Sequence, residues 1–188
     1  MALTTISSQK SWLQVKNGLI HKYEKNAEDE WVSTEYKAVE GFITDINVVD
    51  KKDYQDMPFK ELQIHMNDED ENYILCSRMF KPFSDGLLLS LANADLTRSV
   101  KITPYKGKET NGKAPVYCSV RYHGEKETIK WIERIPPIEK LDQGSGDIVF
   151  IRKDRNAALL KLIDEVKQKY HFPKTIEKTN SKEEDDLD

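Results

Sequence analysis

The sequence predicts a mainly β fold: a five-stranded Greek-key barrel with a helix between its third and fourth strands, then a C-terminal helix and a disordered acidic tail. Three observations carry this. Segments with alternating apolar and polar residues recur between residues 35 and 123, a leucine-rich stretch interrupts them once, and 99–123 reads as a long hairpin around a loop containing Gly and Asn.

The elements follow in order. Residues 12–15 and 18–23 read as two short strands around Asn17-Gly18, a hairpin dipeptide. The run 35–49 is a long strand with Gly41 as its bulge or bend. After a polar loop at 50–58, residues 59–66 alternate and place Leu62, Ile64 and Met66 together. An acidic turn at 67–72 leads to a strand at 73–78. Residues 87–94 favour a helix, with Ser84 or Asp85 placed to cap it. Strands at 99–105 and 115–123 form the hairpin, and 127–134 offers one more short strand around Ile129 and Trp131. Pro136-Pro137 through Gly146 reads as linker, and 154–170 as a helix whose stripe is Leu159, Ile163, Val166 and Tyr170, ended by Pro173. That stripe suits packing on the barrel or on a second subunit, which would make a homo-oligomer. The expected organisation is a barrel domain over 1–134, a linker over 135–153, a helix over 154–173 and a disordered tail over 174–188.

The hairpin is the most informative part. Alternation sends Val100, Ile102, Val116, Cys118, Val120 and Tyr122 one way. The opposite face then carries Lys101, Tyr105, Tyr117, Arg121 and His123, with Lys106, Lys108 and Lys113 in the loop. Rings interleaved with cations suit a flexible nucleic-acid strand, because rings stack on bases and cations meet phosphates. The competing reading is a solvated face whose Tyr residues are ordinary strand formers. Trp131 beside Lys130 joins this group. Lys51, Lys52, Tyr54 and Phe59 flank the loop after the long strand, and Tyr73 and Arg78 bracket the third strand. All are candidates to line the same groove, with core or rim packing the alternative for each aromatic, as for Trp12 and Trp31.

The whole chain is −4. Residues 1–27 are +3, 28–71 are −10, 72–134 are +5, 135–182 are +3, and Glu183, Glu184, Asp185, Asp186, Leu187 and Asp188 together carry −5. A basic sheet region and an acidic tail suggest two surfaces with different partners, although such tails also serve as solubilisers. No apolar run approaches the ~20 residues of a membrane span, and no secretory signal pattern opens the chain. Cys76 and Cys118 lie in strand-like runs and read as buried, reduced thiols of a cytoplasmic protein.

Enzymatic motifs are missing. There is no phosphate-cradling glycine loop, dinucleotide fingerprint or zinc spacing, and His21, His65, His123 and His171 are scattered. Asp45, Asp50, Asp53 and Asp56 invite a two-metal nuclease reading, but three of them share one polar loop. The reading is of a non-enzyme without cofactor or metal. The alternatives are a structural or interaction β barrel of a virion or assembly, and a metal-dependent nuclease.

Strand, strand, strand, helix, strand, strand is the element order of the OB fold, a partly open barrel that binds oligonucleotides. With that order and the strings VKNG (15–18), EGFI (40–43), LLSLANADL (88–96) and VKITPY (100–105), residues 15–131 resemble the single-stranded DNA-binding proteins of bacteria and their phages, above all the phage type. The resemblance implies sequence-tolerant binding of single-stranded DNA in replication and recombination, with RNA accessible to the same chemistry. It also implies recruitment of replication or recombination proteins through the acidic tail. In that family the tail commonly ends in an aromatic residue; here it ends in Leu187-Asp188.

Overall fold

The computed structural model describes residues 10–68, 71–110, 112–142 and 148–172. Their architecture is mainly β, with ten strands and two helices among the described residues. The strands are β1 (Lys10–Lys16), β2 (Leu19–Lys25), β3 (Trp31–Tyr36), β4 (Val39–Lys52), β5 (Pro58–Asn67), β6 (Asn72–Arg78), β7 (Val100–Lys106), β8 (Val116–Tyr122), β9 (Glu139–Asp142) and β10 (Ile148–Ile151); the helices are α1 (Pro82–Asn93) and α2 (Lys153–Lys169). Eight strands form one curled sheet in the order β3-β2-β1-β6-β5-β4-β7-β8, and β9 and β10 pair separately.

Five strands were expected in the barrel, and the sheet has eight. The difference is at the N-terminus. Asn17 and Gly18 both take positive φ, 55° and 77°, as a tight two-residue hairpin turn requires, and join β1 to β2. β3 then pairs with β2. The whole unit docks through β1, which lies parallel to β6 with Lys10 opposite Asn72 and Gln14 opposite Cys76.

β4 begins at Val39 rather than 35. Gly41 lies where β4 crosses another backbone, since a Cβ built there would stand 2.7 Å from the Asn67 carbonyl oxygen. The irregularity in register falls between Ile43 and Asp45, slightly beyond the glycine. Residues 127–134 form no strand. They run along α1 and β8, with the Ile129 N–H donating to the Val120 carbonyl (2.8 Å), Ile132 N–H to Leu89 (3.3 Å) and the Asn93 amide to the Lys130 carbonyl (3.1 Å). The stretch expected as linker contains β9 and β10.

The core is built by alternation. Leu13, Ile20, Ile46, Leu62, Ile64, Met66, Leu75, Ile102 and Val120 all point inward and are buried. α1 closes this core. It starts at Pro82, five residues before the expected 87, so Ser84 and Asp85 lie inside its first turn instead of preceding it. The Ser84 hydroxyl accepts the Lys81 N–H at 3.1 Å. Every residue from 83 to 91 is buried, as expected for a helix apolar nearly all round. Leu87, Leu88, Leu89 and Leu91 each contribute roughly 1.5–3 kcal/mol by that burial.

α2 packs on α1 and β4 through Leu159, Leu162, Ile163 and Val166, and the Tyr170 hydroxyl donates to the Ala94 carbonyl at 2.7 Å. Pro173 and the expected disordered tail, 174–188, lie outside the described residues.

Candidate nucleic-acid interface

β7 and β8 place the hairpin side chains by register. Lys101 pairs with Arg121, Thr103 with Ser119 and Tyr105 with Tyr117, so these six share one face. Val100, Ile102, Cys118 and Val120 occupy the other and are buried. The Tyr105 and Tyr117 rings stack with centroids 5.8 Å apart and planes 29° from parallel. Tyr105 is nearly half exposed. Gly107 holds the pair in place: a Cβ built there would meet Tyr117 Cε2 at 2.4 Å, so any larger residue would displace the ring. The Gly107 N–H donates to the Pro115 carbonyl at 2.7 Å and closes the base of the loop.

A groove of about 730 Å³ opens at the β8 edge between the two faces, lined by Tyr105 and Ser119 from one, Cys118 and Val120 from the other, and by Lys130, Trp131 and Arg155. Trp131 is half exposed. Its indole lies against α1 at Gly86, where a Cβ would come 3.0 Å from Cζ2. Packing and stacking readings therefore apply to different edges of the same ring. Lys106, Lys108 and Lys113 are exposed around the loop. Lys101 has an acid for a neighbour: its ammonium lies 3.7 Å from Glu40, which also takes a hydrogen bond with His123. Arg121 Nε donates to the Ser119 hydroxyl at 3.3 Å.

The residues of the β4–β5 loop form a separate group. The Arg78 guanidinium lies 4.5 Å above the Phe59 ring and 3.5 Å from Asp53. Lys51 and Lys52 each stand 3.9 Å from an acid, Glu61 and Asp56 respectively, and Tyr54 is 93% exposed. Asp53 accepts the Gln55 and Met57 N–H groups at 3.0 and 3.1 Å; chiefly the first of these holds its carboxyl below the usual range. The carboxylate is thus a loop fastener. Acids beside Lys51, Lys52 and Arg78 make this corner electrically weaker than the hairpin.

Tyr73 does not join Arg78. The two are five residues apart on one strand, which alternation assigns to opposite faces. Tyr73 follows Leu75 inward and packs against the core, where burial first, then Glu71, pushes its phenol up to about 12. Cys76 and Cys118 are both free and buried, and burial raises each thiol to about 12. Neither offers a nucleophile near neutral pH. Among the described residues no three His, Cys, Asp or Glu side chains gather as a metal site, and no helix is long and apolar enough to cross a membrane. The acidic tail from Glu183 to Asp188 lies outside the described residues.

Arg155 in the groove was not legible from the sequence, because it reaches there only through the packing of α2. Trp12, Tyr23 and Trp31 form an exposed aromatic group on β1, β2 and β3, and the alternation of 12, 14 and 16 around Asn17-Gly18 was the available signal. Comparison with known proteins finds no matching family model, no matching curated protein and no matching solved structure.

Proposed function

We propose that this chain binds single-stranded DNA with little sequence preference, shielding exposed bases without chemistry. The observation that supports it best is the stacked Tyr105–Tyr117 pair, on the face it shares with Lys101 and Arg121, with Tyr105 at the groove that Lys130 and Trp131 line. Every base has a π-face, so ring stacking is tolerant of sequence, while flexible Lys side chains meet phosphates wherever the strand runs. In this reading β4, β5, β6, α1, β7 and β8 are the OB-fold elements, and the loop between β7 and β8 borders the binding groove. β1–β3 are an addition to them. The setting we propose is DNA replication and recombination in a phage or bacterial system, in the cytoplasm, with the acidic tail as the contact for partner proteins.

The test is a fluorescence titration with oligo-dT, oligo-dA, an RNA oligomer and duplex DNA at two salt concentrations. Single strands should bind and duplex should not. Tyr105→Ala and Tyr117→Ala, with unchanged circular dichroism, should each weaken oligo-dT binding by ~1–3 kcal/mol. Changing Lys106, Lys108 and Lys113 together to Gln should reduce the slope of log K against log salt, by ~0.7 for each phosphate no longer neutralised. Wild-type affinity in all these variants would move the site elsewhere, and no binding by the wild-type protein would end the proposal.

A further inference from the structure

The N-terminal strands carry aromatic rings that the core does not use. One step beyond the Leu13–Lys22 pair of β1 and β2, Trp12 stands beside Tyr23. Tyr23 in turn pairs with Ser33 on β3, and Trp31 pairs with Lys25 two positions further along. Trp12, Tyr23 and Trp31 therefore share one sheet face. They are 50%, 36% and 68% exposed, and with Gln14 they line a single open cleft of about 470 Å³. The residues by which these strands are anchored, Leu13 and Ile20, point the other way.

Cations border the rings. Lys10 and Lys16 alternate with Trp12 and Gln14 on β1, and the Lys25 ammonium lies 5.8 Å from the Trp31 centroid. The acids nearby are Glu28, Asp29 and Glu30 of the β2–β3 turn, Asp29 2.6 Å from Lys25, and Glu35, 3.8 Å from His21. The Lys25–Asp29 pair is exposed, so a phosphate replaces the carboxylate at little cost. The β1–β2 turn also reaches the β7–β8 hairpin. A Cβ built on Gly18 would stand 2.9 Å from Lys106 Cγ and 3.3 Å from the Tyr105 carbonyl carbon, so the β1–β2 turn abuts the end of β7. From Trp12 to Lys16 is four residues, ~13 Å along a strand. Rings and cations thus follow one another from Trp31 to Trp12, past Lys16, to Tyr105 and Tyr117.

We infer that the Trp12–Tyr23–Trp31 face is a second base-stacking platform, which takes the continuation of the single strand held at Tyr105 and Tyr117. This rests on the single-stranded DNA reading above. A sugar chain would also lie on flat rings, but it needs polar groups to fix its hydroxyls, and the cleft lining offers the Gln14 amide and the Tyr23 hydroxyl for that role. Flanking lysines and a turn that abuts the hairpin favour a polyanion with flat bases.

The experiment uses the full chain and labelled oligo-dT of two lengths, about 6 and about 20 nucleotides, spanning the range of single-domain site sizes. Trp12→Ala/Trp31→Ala, with thermal unfolding unchanged, should bind the long oligomer at least ~10-fold more weakly and the short one as the wild type does. Tyr105→Ala/Tyr117→Ala should weaken both lengths. If the tryptophan variant binds the long oligomer with wild-type affinity while the tyrosine variant does not, the platform is overturned and the proposed function stands. If the wild-type protein binds neither oligomer, both fall. Quenching of tryptophan fluorescence by a soluble β-glucan oligosaccharide, with none by oligo-dT, overturns the platform in favour of a sugar.

Discussion

Lys167 is buried in α2, and its ammonium is held 3.0 Å from Asp45 and 2.9 Å from the Asn47 side-chain oxygen. His65 on β5 adjoins this group, its Nε2 3.4 Å from the Asn47 amide nitrogen. Burial, followed by Lys10 and Lys167, lowers the His65 pKa from 6.5, while Asp45 acts in the opposite sense. The unfolded chain therefore takes the proton first. Stability from this group is complete above about 6.5 and is lost as pH falls through the lower folded value. One proton gives a slope of at most ~1.4 kcal/mol per pH unit. Urea midpoints should thus decline from pH 7 toward pH 5, and His65→Gln should flatten that decline; an equal decline in the variant would assign it to other groups. Nothing in the sequence pairs Lys167 with Asp45, because the contact joins residues far apart along the chain. The hairpin faces were legible because period-two alternation fixes them locally. The same rule, applied to Tyr73 and Arg78, already separates them.

Elements were legible where one face is buried and hidden where none is. All six residues of β3 are exposed, so no alternation marks it. β4 was readable because Val39, Ile43 and Ile46 repeat inward, although its start was not. The attachment of α2 depends on ion pairs that no pattern announces. Asp85, 5% exposed in the first turn of α1, binds Arg152 and lies 3.3 Å from Arg155 Nε, whose guanidinium also donates to the Pro136 carbonyl at 2.9 Å. Removing one partner of a buried pair leaves charge without compensation. Asp85→Ala should therefore cost ~3–5 kcal/mol in chemical unfolding. Glu165, whose pairing with Arg134 at the other end of α2 is solvent-exposed, should cost under ~1 kcal/mol on the same change. Equal losses from the two substitutions would show that the clasp at Asp85 is not what fastens the helix.

At the scale of the whole molecule, charge is the feature that sequence reveals most fully, since it needs no fold to be counted. The five acids after Lys182 offset a chain that is otherwise +1. A tethered polyanion competes with DNA phosphates most strongly at low salt, because exposed charges are screened over ~10 Å at 0.1 M. Ending the chain at Ser181 should tighten oligo-dT binding at low salt, with the gain shrinking as salt rises. Equal affinities across the salt series would leave the tail a solubiliser. What the sequence could not reveal is how the sheet is assembled, because a parallel pair leaves no local turn to recognise. That pair, β1 beside β6, has a consequence for the order of folding. Lys10 and Asn72 meet across sixty-two positions, whereas β1 and β2 meet across a two-residue turn. Local pairings close quickly and distant ones wait on the chain between them. The first strand is therefore free to form its hairpin early, yet it has no place to dock until the β4–β5–β6 meander exists. The strands that carry the outlying rings thus join the sheet late.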